Sequence, residues 1–158
     1  MQDQSIESIM TDYIACVKTM HDWFHSAHIL TKGTGFSGDH VNLYGKIYEE
    51  LSESLDSLIE KVLGVTKDED IVCPTMIAHA VASKMQVIPT NSNKSAIMIA
   101  STGLQLINSH IKNTEKFFDV LEQSGMLSLG FNDLLGSYAN QLEGYVYLLQ
   151  QRVKENLK

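Results

Sequence analysis

Apolar residues recur along this chain at helical spacing in four long stretches. Over residues 6–24 the stripe is Ile6, Met10, Tyr13, Val17, Met20 and Phe24. Steps of three and four place these side chains on one side of an α-helix. A second stripe, over about 39–63, is Tyr44, Ile47, Leu51, Leu55, Leu58 and Val62, with Gly64 as the expected stop. A third, over about 94–123, is Ile97, Ala100, Leu104, Ile107, Ile111, Phe118 and Leu121, closed by Ser124 and Gly125. The fourth, over about 126–155, is Phe131, Leu135, Tyr138, Leu142, Tyr145 and Leu149. Gly130, Gly136 and Gly144 interrupt it and weaken it by roughly 1 kcal/mol each.

The links between these stretches are unequal. The first, the glycine-rich run 31–38, and the last are short, so each joins an antiparallel helix pair. The middle link, 65–93, is long enough to cross a bundle, holds both prolines, Pro74 and Pro89, and carries a short helix near 75–85. Short, long, short is the order of an all-α, ferritin-like four-helix bundle with a long crossover between helices 2 and 3. No repeat, low-complexity run or boundary divides the chain, so residues 1–158 read as one domain.

Composition narrows the function classes. The chain has 158 residues, 44% hydrophobic and 20% charged, which suffices for a packed core. Its net charge of −7 disfavours DNA, whose phosphates require a basic footprint, and favours the collection of cations. Residues 1–5 contain no Lys or Arg, so no basic tail is expected. No apolar run approaches the roughly 20 residues of a membrane span, and no signal peptide is visible. Two distant cysteines, Cys16 and Cys73, form no disulfide framework, which points to a reducing cytoplasm.

The candidate chemistry lies in the first half. On the second helix Glu49, Glu53, Asp56 and Glu60 fall on the side opposite the apolar stripe. Such a stripe often marks only a solvated face. Asp56 and Glu60, four residues apart, are also natural ligands for a hard cation such as iron. The first helix adds His21, His25 and His28 beside Asp22, on the flank of its own stripe. His28 and His40 flank the loop 31–38 and can meet across the helix hairpin. Asp56 cannot join them within one chain. It lies sixteen residues past His40, about 24 Å along a helix at roughly 1.5 Å per residue. A metal centre built from all four therefore needs two subunits. His79 and His110 stand alone and read as structural, and Trp23 and Phe24 read as core or interface aromatics. There is no phosphate-binding GK[ST] loop, CxxC pair or nucleophile elbow, and the glycines of 33–38 read as an interhelical turn.

The run from His28 through Gly33 and Phe36 to His40 resembles the His-x4-Gly-x2-Phe-x3-His signature of Dps, the mini-ferritins of starved bacteria. The segment from Ile47 through Asp56 and Glu60 to Gly64 resembles the stretch that comes after this signature in the same family. The resemblance is specific over roughly residues 20–64. It implies a hollow twelve-subunit homo-oligomer built from two-fold dimers, which oxidises and stores iron and protects against peroxide stress. His28 and His40 would come from one subunit, Asp56 and Glu60 from its neighbour, and together they would be both metal ligands and ferroxidase residues. Direct DNA binding, suggested by the family name, is opposed by the charge.

Three departures define a second reading. The family usually has Trp after its first His, where this chain has Ile29. It usually counts fifteen residues from second His to Asp, where this chain counts sixteen. Many members carry another acid one turn after the second His, where this chain has Tyr44 and Gly45. One extra residue turns a continuous helix by about 100°, which would swing His40 away or into the loop. The alternative is thus a structural assembly protein of ferritin fold with a degenerate or absent ferroxidase site.

Overall fold

The computed structural model describes residues 5–154. The expected absence of a basic tail at 1–4, and Glu155 at the end of the fourth expected helix, lie outside the described residues. Helix α1 (Ile6–Leu30) starts at Ser5, whose hydroxyl accepts the Ser8 N–H. A π-helical segment, Gly38–Gly45, runs directly into α2 (Lys46–Thr66). The crossover holds a 3-10 turn, Asp70–Val72, and the short helix α3 (Pro74–Met85), which begins on proline as a first helical turn allows. Helix α4 (Ala96–Gln123) is capped by Ser95, and α5 (Leu129–Lys154) comes after the left-handed Gly125, φ 71°. Among the described residues there is no strand, and no helix is long and apolar enough to cross a membrane.

Side-chain contacts fix the helix directions. Near one end His28 meets His40, and Trp23 donates from Nε1 to the Pro89 carbonyl at 2.9 Å. Near the other, Thr11 bonds the Ile71 carbonyl at 2.8 Å and Tyr13 bonds Thr114 at 2.8 Å. So α2 and α4 both run antiparallel to α1, and hence parallel to each other. A hairpin cannot join parallel helices, which is why the crossover must traverse the bundle. Arg152 on Asp39, and Tyr138 on His110, set α5 antiparallel to both α2 and α4.

The core follows the expected stripes, except that Ile6 and Leu55 are half-buried and that α1 and α4 bury other positions as well. All six apolar positions expected on α5 are buried. On α1 burial is wider than one stripe, because α1 packs against α2, α3 and α4 at once. On α4 the buried line is Ile99, Ala100, Gly103, Ile107, His110, Thr114, Phe117 and Leu121, while Ile97, Leu104, Ile111 and Phe118 are half-buried. Hydrophobic spacing misses this line because three of its members are Gly, His and Thr. Gly103 permits a close approach: a β-carbon there would sit 3.2 Å from the Phe24 ring. The expected stop at Gly64 is also displaced. Gly64 is exposed and the helix continues to Thr66, ending where Lys67 turns left-handed, φ 58°, and returns its N–H to the Leu63 carbonyl.

Candidate metal centre

His28 lies in the last turn of α1, where main-chain carbonyls have lost their helical partners. His40 lies in the π-helical segment across the hairpin. Their rings stack with centroids 3.8 Å apart and planes within 16°. His28 Nδ1 lies 2.7 Å from the His40 carbonyl, and His40 Nδ1 lies 2.7 Å from the His28 carbonyl. A carbonyl can only accept, so each Nδ1 carries a proton, and in the neutral ring the lone pair is then on Nε2. Neither Nε2 has a hydrogen-bond partner among the described residues. This is how metal-binding imidazoles are commonly oriented, with the far nitrogen tied to a carbonyl and the near one left for the ion.

The π-helical segment explains how His40 reaches this position. A turn closed by i→i+5 bonds holds one more residue than an α turn. It takes up the extra residue between His40 and Asp56, so His40 stays in the helix and faces His28. The displacement expected for a regular helix is thereby corrected. Gly45 makes the wide turn possible: a β-carbon there would lie 2.6 Å from the His40 carbonyl oxygen and 3.1 Å from His28 Nδ1.

Neighbours hold the hairpin end in place. Asp39 is buried; its two carboxylate oxygens share the single Arg152 Nε–H, at 2.8 and 3.0 Å, and one of them accepts from the Thr31 hydroxyl at 3.5 Å. Phe36 stacks on His40 with centroids 4.9 Å apart. Ile29 and Val41, next in sequence to the two histidines, and Phe36 are 58%, 61% and 42% exposed.

The acids occupy a different place. Glu49, Glu53, Asp56 and Glu60 are all exposed on α2, and none has a hydrogen bond or ion pair among the described residues. Asp56 and Glu60 are not brought to His28 and His40 within the chain. Among the described residues no three His, Cys, Asp or Glu side chains form a group able to hold a metal ion.

Up α1 from His28 the histidines continue. His25 and His28 have ring centroids 6.4 Å apart, and His21 and His25 6.2 Å apart. The ring of Tyr48 on α2 contacts all three. His21 Nδ1 lies 2.9 Å from Asp22 Oδ1, which also takes the Lys18 ammonium. Burial raises the pKa of the Asp22 carboxyl, but the bonds from His21 and Lys18 outweigh it and hold it below the usual range.

Sequence reasoning missed Asp39, Arg152 and Glu50. Asp39 and Arg152 are 113 positions apart and carry no local signal. Glu50 accepts from Gln141 at 2.6 Å and borders a cavity of about 280 Å³ between α1, α2 and α5. It stands next to Glu49 on the helix, but is turned by one residue toward the bundle. His110, expected to be structural, is buried and bonds Tyr138 through Nε2 at 2.8 Å.

No family model matches the chain, and no curated protein matches it. Solved structures do. The Dps protein of Vibrio cholerae O1, described as a member of a broad superfamily of ferritin-like diiron-carboxylate proteins, superimposes with a TM-score of 0.71 at 14% identity, over 94% of this chain and 88% of that one. The Dps of Mycobacterium smegmatis superimposes with a TM-score of 0.69 at 17% identity, over 93% of this chain and 85% of that one. The fold is therefore the Dps-like, ferritin-like bundle.

Proposed function

We propose that this chain is an iron-handling mini-ferritin of the cytoplasm that self-assembles, with twelve subunits as the expected shell. Fe(II) would be bound between two-fold-related subunits, with His28 and His40 from one and Asp56 and Glu60 from the other. Two Fe(II) ions would each give one electron to peroxide. Its O–O bond breaks, two protons are taken up and two waters form, and the ferric product would be stored inside the shell. The observation that carries this reading is the His28–His40 pair: two imidazoles tied back through Nδ1, with Nε2 free, on a Dps-like fold. Imidazole with carboxylate is a donor set suited to iron. The exposed apolar side chains of Ile29, Phe36 and Val41 support a protein partner near the histidines.

The test is a mixing experiment. In a two-fold dimer each site takes histidines from one chain and acids from the other. A mixed dimer of His28→Ala and Asp56→Ala proteins has one doubly broken site and one intact site. Neither variant alone should oxidise Fe(II) rapidly, and verified coassembly should restore activity. Coassembly without restored activity rejects the shared site.

The second reading, an assembly protein without ferroxidase activity, draws on Gly45. Tyr44 and Gly45 stand where many Dps proteins carry a further acid, and at Gly45 the wide turn leaves no room for a side chain. Anaerobic Fe(II) titration of the unmodified protein separates the two readings.

A further inference from the structure

His21 and His25 are the two imidazoles of this face that the iron proposal leaves unused. From their geometry we infer a separate site for a borderline divalent ion, of which Zn(II) is the probe, bound by His21 and His25. The inference does not depend on iron chemistry at His28 and His40.

Four observations support it. First, the run His21-Asp22-Trp23-Phe24-His25 sets two imidazoles at i and i+4, the spacing at which two histidines on one helix chelate zinc. Second, the rings already lie close together, with centroids 6.2 Å apart and planes 33° apart. With zinc–nitrogen bonds of about 2.0–2.1 Å, two imidazoles on one tetrahedral ion stand about 5 Å apart, so a small rotation of exposed His25 closes the pair. Third, His21 is oriented from behind. Its Nδ1 meets Asp22 Oδ1 at 2.9 Å, which leaves Nε2 as the donor, the carboxylate–histidine arrangement of zinc sites. Lys18 bonds the same carboxylate and fixes its position. Fourth, His25 is exposed and has no hydrogen bond among the described residues, so neither core packing nor a polar partner accounts for it.

The donors select the ion. The pair is all nitrogen, with no carboxylate touching the ion, which favours zinc, copper or nickel over hard cations, and Zn(II) over Fe(II) in the usual affinity order. Among the described residues no third donor joins the pair, so water would complete the coordination. The Tyr48 ring, 6.0 Å from His21 and 4.8 Å from His25 by centroids, walls one side.

The test is calorimetric titration of the metal-free, assembled protein with Zn(II), with Co(II) absorption to report nitrogen ligation. A His28→Ala/His40→Ala variant separates this site from the iron proposal. It should retain one Zn(II) per chain, whereas adding His25→Ala to that background should remove it. Asp22→Asn should weaken binding by about 10-fold through loss of orientation. His25→Gln guards against misfolding, since the side chain is exposed and the substitution is mild; it should also remove the ion while circular dichroism stays unchanged. No Zn(II) bound to the His28→Ala/His40→Ala variant overturns the inference. So does unchanged binding when His25 is replaced.

Discussion

Gly45 lies beneath the carbonyl of His40, so close that a β-carbon on Gly45 would stand 2.6 Å from that oxygen. The same oxygen accepts from His28 Nδ1 at 2.7 Å. The wide helical turn, the missing side chain and the imidazole pair are thus one arrangement. Ala is intrinsically the better helix former by about 1 kcal/mol, but here its methyl meets rigid backbone. Forcing extra volume into such a place costs about 1–3 kcal/mol. Gly45→Ala should therefore lower the melting temperature and disturb the His28 ring, which imidazole NMR signals would report. Gly136→Ala is the control: it meets nothing within 4 Å on exposed α5, and should leave stability unchanged or raise it. A Gly45→Ala protein as stable as Gly136→Ala would rule out the contact as described.

Asp39 and Arg152 form the ion pair that ties the hairpin end to the last helix, with side chains 6% and 17% exposed. Removing Arg152 leaves the Asp39 carboxylate in a poorly solvated place without this cation, at a cost of roughly 3 kcal/mol or more. Arg152→Ala and Asp39→Ala should each destabilise the fold strongly. The double variant should cost clearly less than the sum of the two, because both single variants lose the same ion pair. Denaturant unfolding of the four proteins measures this coupling, and strict additivity would show that the pair is not coupled.

How much of this was legible in the sequence depends on how each feature is encoded. Amphipathic stripes repeat over many turns, so the four long helices, the crossover and its short helix could all be read, and on α5 every expected core position is buried. The α4 core line could not, because Gly103, His110 and Thr114 are core residues only in company with Phe24, Tyr138 and Tyr13. The His28–His40 contact was legible because a short loop brings its flanks together. The π-helical turn that delivers it was visible only as one residue too many before Asp56. Asp39 read as a helix start, and its partner 113 positions away left no trace in local pattern. Asp56 and Glu60 could be read as ligands only from their i, i+4 spacing, and helix length already placed them away from His28 and His40 of the same chain.

Duplex DNA should bind negligibly at neutral pH and physiological salt. The chain carries −7, and each phosphate contact needs a cation from the protein. Repulsion between two polyanions must be overcome before any specific contact forms. A mobility shift in the presence of a chelator, which removes bridging divalent ions, is the appropriate assay. A salt-sensitive submicromolar complex would contradict the prediction.

His110 gives the fold a pH dependence of known sign. It is 3% exposed, its Nε2 bonds Tyr138 at 2.8 Å, and burial pushes its pKa down from 6.5 to about 4. Between these two values the unfolded chain holds a proton that the folded chain does not. More protons bound in the unfolded state means that stability rises with pH across this window. The contribution is fully present above pH 6.5 and is lost as the pH falls toward 4, where the shift corresponds to roughly 3 kcal/mol. His110→Gln keeps a hydrogen-bonding partner for the Tyr138 hydroxyl but cannot titrate. Carboxylates elsewhere contribute equally to both proteins, so the difference between them isolates His110. Trp23, the single tryptophan and 1% exposed, reports unfolding by fluorescence. Urea midpoints measured from pH 7 to pH 4.5 should fall more steeply for the unmodified protein than for His110→Gln. Parallel curves would mean that His110 does not stay neutral in the folded state.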